Sequence, residues 1–305
     1  MPVLEVNAGG VMMKNPVATA SGTCGYGDIY TRSYNPESLG AVVVKGISLQ
    51  PRQGNRSPRM AETPCGMLNA IGLENVGLSA FIEDKLPPLR EKGATVVVNL
   101  FGEKIEDYVK LAEELSKQDG IHGLELNISC PNVKAGGIAF GSDPKTAAEL
   151  TKSVRGATKL PVWVKLSPNV GDIAEMAVAV EEAGADAISL INTLKGMAID
   201  AESRRPVLAN VVGGLSGPAI KPVALRMVHE VWKAVKVPVI GMGGIMDATD
   251  AVEFMLAGAT AVQVGTASFV DPGTPVKIVR GIESYLREHG MDSVSDLTGA
   301  LEFPG

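Results

Sequence analysis

The chain has 305 residues, one large domain or two ordinary ones, and either way enough to bury a sizeable core. Hydrophobic residues make up 45% and aromatics only 4%, so the interior is built from Val, Ala, Ile and Leu, a composition suited to parallel strands covered by helices. A net charge of −6 supplies no basic field for a nucleic-acid backbone or an anionic membrane surface, and excludes both as partners.

The opening stretch, MPVLEVNAGGVMMKNP, lacks the charged-then-apolar layout of a secretory signal, and no apolar run long enough to span a bilayer occurs anywhere. The expectation is a cytoplasmic protein. Two short extended runs around Asn7-Ala8-Gly9-Gly10 predict a β-hairpin that closes one end of the fold. Short apolar runs then recur at 17–20, 41–45, 95–100, 124–129, 162–167, 187–192, 238–243 and 261–265. Between them lie helix-like segments such as 104–118, 143–158, 172–183, 222–235 and 247–257, with apolar residues three to four apart. Several start after Asp or Pro and stop at Gly. Eight β-then-α units in about 250 residues predict an α/β fold, a single (β/α)8 TIM barrel over residues 1–305. The connections 46–75 and 193–221, after strands 2 and 6, are too long for simple turns and predict functional loops.

In such a barrel, chemistry gathers at the C-terminal ends of the strands. Those ends carry Lys45, Asn99, Asn127, Lys165, Asn192 with Thr193, then Gly243-Gly244 and Gly265-Thr266. A polar residue at one strand end is ordinarily a turn former. Two lysines and three asparagines at five of eight ends point instead to a site, because a buried lysine needs a partner. The glycines at the last two ends predict a phosphate cradle of exposed backbone N–H groups, and GGLSGP (213–218) is placed to close over the same anion. The alternative for these glycines is turn geometry alone. No G-x-G-x-x-G follows a first strand, so no Rossmann site is expected.

Lys165 can stabilise an anion formed during reaction, act as a Schiff-base nucleophile as in barrel aldolases, or make a rim salt bridge. Lys45 suits a phosphate, a cofactor ring or a carboxylate substrate. A non-catalytic barrel binding a phosphorylated ligand also remains open. None of the three histidines (His122, His229, His289) falls at a strand end, which leaves a thiol, a lysine or a carboxylate as proton acceptor. Cys24, Cys65 and Cys130 form no C-x-x-C pair, so no metal site is expected, and they are too few for an iron–sulfur cluster. Cys24 and Cys65 read as small buried hydrophobes. Cys130, before Pro131 in a constrained strand-end loop, reads as the reactive thiol.

In order along the chain, ASG (20–22), VVKG (43–46), NAIGL (69–73), VNLFG (98–102), NISCPNVK (127–134), WVKLSPN (163–169), INT (191–193), GGLSGP (213–218), GMGG (241–244) and VGTA (264–267) resemble the dihydroorotate dehydrogenases over nearly the whole length. Cysteine at 130 and no N-terminal extension are similar to class 1, and SCPNVKAGG is similar to subclass 1B. The resemblance implies an FMN enzyme that oxidises (S)-dihydroorotate to orotate in de novo pyrimidine (UMP) biosynthesis. It puts FMN contacts on Ser21, Lys45, Gly46, Asn99, Asn127, Lys165, Ile191, Gly217, Gly243, Gly244, Gly265 and Thr266. Substrate contacts fall on Lys45, Asn69, Ala70, Ile71, Gly72, Leu73, Asn127, Asn192 and Thr193. It also implies that Cys130 removes the C5 proton while hydride passes from C6 to flavin N5, with Lys165 stabilising charge on the reduced ring. Subclass 1B further implies a partner subunit carrying FAD and an iron–sulfur cluster that delivers electrons to NAD, in a heterotetramer built on a homodimer of this chain. The neighbouring alternatives are a fumarate-using class 1A-type enzyme and a dihydrouracil-type flavin dehydrogenase.

Overall fold

The computed structural model describes residues 1–29, 32–128 and 140–303. Strands β1 (Val6–Ala8) and β2 (Val11–Met13) pair as the expected hairpin. β3 (Val17–Thr19) and β4 (Ala41–Ile47) begin a barrel, and β5 (Met60–Thr63) and β6 (Gly66–Asn69) leave it for a second sheet. β7 (Val96–Leu100), β8 (Gly123–Asn127), β9 (Val162–Lys165) and β10 (Ala187–Leu190) continue the barrel. After β11 (Leu194–Met197), the short pair β12 (Ile199–Asp200) and β13 (Arg205–Pro206), and β14 (Val212–Ser216), the barrel closes with β15 (Val239–Met242) and β16 (Ala261–Val264).

All eight barrel strands are parallel and neighbours in sequence are neighbours in space, with β16 pairing back onto β3. Both faces of each strand are covered, which is why they read as continuous runs such as Val42-Val43-Val44 and Val96-Val97-Val98, all buried. The covering helices are α1 (Leu78–Ala80) and α2 (Leu86–Glu91), joined by a π-helical turn at Phe81–Lys85, then α3 (Ile105–Leu115), α4 (Pro144–Ala157), α5 (Ile173–Glu182), α6 (Lys221–Ala234), α7 (Ala248–Leu256), α8 (Ala267–Val270) and α9 (Thr274–Glu288). The acidic starts seen in the sequence are N-caps: Asp143, Asp172 and Asp247 accept from backbone N–H groups of the first turns of α4, α5 and α7. No helix among the described residues is long and apolar enough to cross a membrane.

The hairpin closes the N-terminal end of the barrel. Gly9 and Gly10 turn at φ 62 and 88, and a Cβ on Gly9 would lie 2.1 Å from the carbonyl oxygen of Asp186, just before β10. Trp163, fully buried on β9, donates its indole N–H to the Ala8 carbonyl at 2.8 Å.

Two features differ from the expected eight repeats. The connection from β3 to β4 holds, among its described residues, a 3-10 turn at Pro36–Ser38 and no α-helix. Gly22, Gly25 and Gly27, all at positive φ, break that segment, and α9 packs against β3 in its place. The two long connections also find each other: β11, β14, β6 and β5 form a four-stranded antiparallel sheet, with Leu68 opposite Leu215 and Asn69 opposite Gly214. Both segments follow barrel strands, so this sheet stands over the C-terminal mouth.

Candidate active site

The strand ends open beneath that sheet into one cavity of about 900 Å³, near the top of the roughly 300–1,000 Å³ range of small-molecule sites. Every strand-end residue singled out in the sequence lines it: Lys45, Asn99, Asn127, Lys165, Asn192, Thr193 and the glycine turns after β15 and β16. Ser21, Gly46, Ile191, Gly217 and the stretch Asn69 to Leu73 line it too. Cys130 lies outside the described residues.

The floor is polar and almost fully buried. Lys165, 6% exposed, projects from the end of β9 with its Nζ 3.9 Å from Glu125 Oε1. Glu125 on β8 is fully buried and accepts from Asn99 Nδ2 at 2.7 Å, Ser189 Oγ at 2.9 Å and Gln263 Nε2 at 2.7 Å. Sequence reasoning passed over Glu125, Ser189 and Gln263. The legible signal was a charged residue inside the apolar run LELN, since a buried carboxylate requires partners. Asn127 is set by α3, whose Tyr108 hydroxyl donates to the Asn127 carbonyl at 2.8 Å.

One wall carries positive charge. Lys45 ends half-buried, and burial holds its ammonium below the usual lysine range, with Glu74 pulling it up and Arg59 pushing it further down. Arg59, ion-paired with Glu74, comes from the long loop after β4 and had no local sequence signature. Asn69 Nδ2 donates to the Gly214 carbonyl at 3.3 Å, tying β6 to β14. Leu73 holds φ 60, a left-handed conformation unusual for leucine, at the point where the loop turns along the cavity.

The opposite wall is the glycine cradle. Gly244 has φ +79, and a Cβ there would come within 2.9 Å of both the Gly217 carbonyl oxygen and the Lys221 backbone nitrogen. Thr266 Oγ1 donates to Ser216 Oγ at 2.8 Å, so the turns after β14, β15 and β16 meet. Of the GGLSGP run, Gly213 and Gly214 lie in β14, and Gly217 reaches the cradle. Asp250 braces the meeting point, accepting from Met246 N–H at 2.7 Å and Lys221 Nζ at 2.5 Å. Gly244→Ala is expected to cost about 1–3 kcal/mol of strain and to weaken anion binding, as measured by phosphate-ligand titration.

The two described cysteines part company. Cys24 is buried, as expected, with Sγ 3.2 Å from Thr19 Oγ1. Burial pushes its thiol from 9.0 up to about 11, against the opposing hydrogen bond to Thr19. Cys65 is exposed, contrary to the expectation of a buried hydrophobe, because Thr63 and Gly66 place it in the turn between β5 and β6. At pH 8, iodoacetamide is expected to label Cys65 rapidly in the native protein and Cys24 only after unfolding. Between pH 9 and 11 the unfolded chain loses the Cys24 proton while the folded chain keeps it. Stability therefore falls across that window, by up to about 3 kcal/mol, which urea denaturation at stepped pH measures.

A closed ring of eight parallel strands, with buried and half-buried cations and a glycine cradle at the C-terminal rim, defines a (β/α)8-barrel enzyme. The family model for dihydroorotate dehydrogenase matches residues 3–286. The chain belongs to the dihydroorotate dehydrogenase family and is an oxidoreductase. It is 60% identical over 300 residues to a protein of Geotalea uraniireducens (strain Rf4), covering 98% of each chain. To proteins of Geobacter metallireducens and Geobacter sulfurreducens it is 60% and 58% identical over 301 residues, covering 99% of each chain. All three relatives are named dihydroorotate dehydrogenase B (NAD(+)), catalytic subunit.

Proposed function

We propose that this chain holds FMN in the cavity and oxidises (S)-dihydroorotate to orotate in the cytoplasmic pathway to UMP, with NAD as final acceptor through a partner subunit. The observation that carries the reading is the convergence of two cations, three strand-end asparagines and the glycine cradle on one cavity, in a chain about 60% identical to NAD-linked catalytic subunits. The cavity fits the cofactor. Gly217, Gly244 and Thr266 line one end of the cavity, and neither glycine has room for a side chain, which suits a phosphate seat of backbone N–H groups. At the other end, buried Asn99 Oδ1 and Gln263 Oε1 have no hydrogen-bond partner among the described residues, as expected of acceptors awaiting a ring N–H.

FMN, when bound, would supply a two-electron acceptor for the hydride that leaves substrate C6. Cys130, as thiolate, takes the C5 proton, so the substrate loses one proton and one hydride. Lys165 sets a fixed positive charge at the cavity floor, where negative charge develops. Lys45 pairs with the substrate carboxylate. Asn69, Asn127 and Asn192, with Thr193, supply donors and acceptors for a planar cyclic imide. The Lys45 contact favours dihydroorotate over dihydrouracil, which has no carboxylate.

The names of the relatives support a further subunit. We assign it FAD and an iron–sulfur cluster, in a heterotetramer around a homodimer of this chain. Exposed Met197, Ile199, Val211 and Val212 beside the roofing sheet supply apolar surface for assembly.

The test is anaerobic. Protein reconstituted with FMN should absorb near 450 nm, roughly the usual flavin band, and bleach with dihydroorotate but not dihydrouracil. NAD should restore the colour only with the partner present. Bleaching by dihydrouracil, or reoxidation by fumarate alone, would replace this reading with the dihydrouracil-type or 1A-type enzyme.

A further inference from the structure

A fully buried carboxylate lies under the cavity floor, in a position that none of the roles above uses. We propose that Glu125 is a positioning residue that fixes the hydrogen-bond polarity of the floor. It turns the Asn99 and Gln263 amides so that both offer carbonyl oxygens to the cofactor, and it holds Lys165 beside them as the donor. The proposal rests on the reading that this cavity takes FMN.

A carboxylate accepts hydrogen bonds and donates none. Asn99 Nδ2 and Gln263 Nε2 each lie 2.7 Å from a Glu125 oxygen, one on Oε1 and the other on Oε2. Each amide therefore spends its NH2 group on Glu125, and each amide oxygen is directed elsewhere. Both oxygens are buried acceptors with no partner among the described residues. A buried acceptor left unsatisfied is destabilising, so two of them beside one cavity call for donation from a ligand.

The surroundings agree. Gly46 leaves space next to one acceptor, since a Cβ there would stand 2.7 Å from Asn99 Oδ1. Ser189 Oγ donates to Glu125 at 2.9 Å and keeps the carboxylate from rotating. The pyrimidine portion of an isoalloxazine presents one N–H between two carbonyls. The two amide oxygens can share that single N–H in a bifurcated hydrogen bond, and the Lys165 ammonium can donate to a flanking carbonyl. With an amide at position 125, Asn99 and Gln263 could each sit either way round, and the floor would have no fixed polarity.

The experiment titrates each apo-protein with FMN and follows flavin fluorescence, with thermal unfolding recorded alongside. Glu125→Gln is expected to weaken FMN binding by about 10- to 100-fold. The swap Glu125→Gln with Gln263→Glu returns a carboxylate to the same cluster. The amide then standing at position 125 can accept from Asn99 through its oxygen while its NH2 group donates to the carboxylate at position 263 and to Ser189 Oγ, and most of the affinity should return. A role in stability alone would not be reversed in this way. A folded Glu125→Gln protein that binds FMN as tightly as the parent overturns the proposal, and so does a folded swap that binds no better than the single variant. If the single variant does not fold, the swap decides: parent-like affinity supports the proposal and weak affinity sinks it. A parent protein that fails to bind FMN refutes instead the reading of the cavity.

Discussion

Replacing Cys130 with alanine is expected to leave FMN bound and to lower dihydroorotate turnover by about 10²- to 10⁴-fold, the usual contribution of a positioned base. The other candidates for that proton are engaged elsewhere. His122 Nδ1 accepts from Val96 N–H at 3.1 Å, His229 Nδ1 lies 3.2 Å from the Ala257 carbonyl, and His289 Nδ1 lies 2.8 Å from the Tyr285 carbonyl. None of the three lines the cavity. Cys24 is held neutral by burial. An ordinary thiol is only a few per cent ionised at about pH 7, so turnover by the parent should climb toward alkaline pH. Serine at 130 should fall between cysteine and alanine. Stopped-flow bleaching of the flavin measures these rates, and an alanine variant with parental activity would remove Cys130 from the mechanism.

Replacing Lys165 with methionine should damage stability and rate together. Lys165 and Glu125 are 7% and 0% exposed at the side chain, and breaking such a pair leaves a buried charge without its counter-ion. That typically costs about 3–5 kcal/mol. Glu125 keeps three neutral hydrogen bonds, so the lower end, about 3 kcal/mol, is expected in urea denaturation. Turnover should drop by about 10²- to 10³-fold, the usual effect of removing one electrostatic stabiliser. Combining Lys165→Met with Glu125→Gln removes the stranded charge, so stability should recover while turnover stays low. A Lys165→Met protein as stable as the parent would show that the pair carries no net weight in the fold.

The same two residues show how far the sequence could be read. Lys165 was visible because it ends an apolar run, and in a barrel such an end must face the mouth. Glu125 sits in an equally apolar run, but what it does depends on Asn99, Ser189 and Gln263, which are 26, 64 and 138 positions away. No local pattern encodes those contacts. Cys65 illustrates the converse: its local context suggested nothing beyond a buried thiol, and a turn of the roofing sheet left it at the surface.

From its sequence alone this protein declared eight strands, the helices between most of them, the N-terminal hairpin and the residues at the mouth. Those are properties of short stretches, set by side-chain alternation, capping and turn chemistry. Only the tertiary structure decided that the loops after β4 and β10 pair into one sheet, joining residues 145 positions apart. The same holds for α9 in the place of a first helix, and for the carboxylate under the cavity floor. Each depends on which distant backbone or side-chain groups satisfy one another once water is excluded, and that is settled when the ring of strands closes.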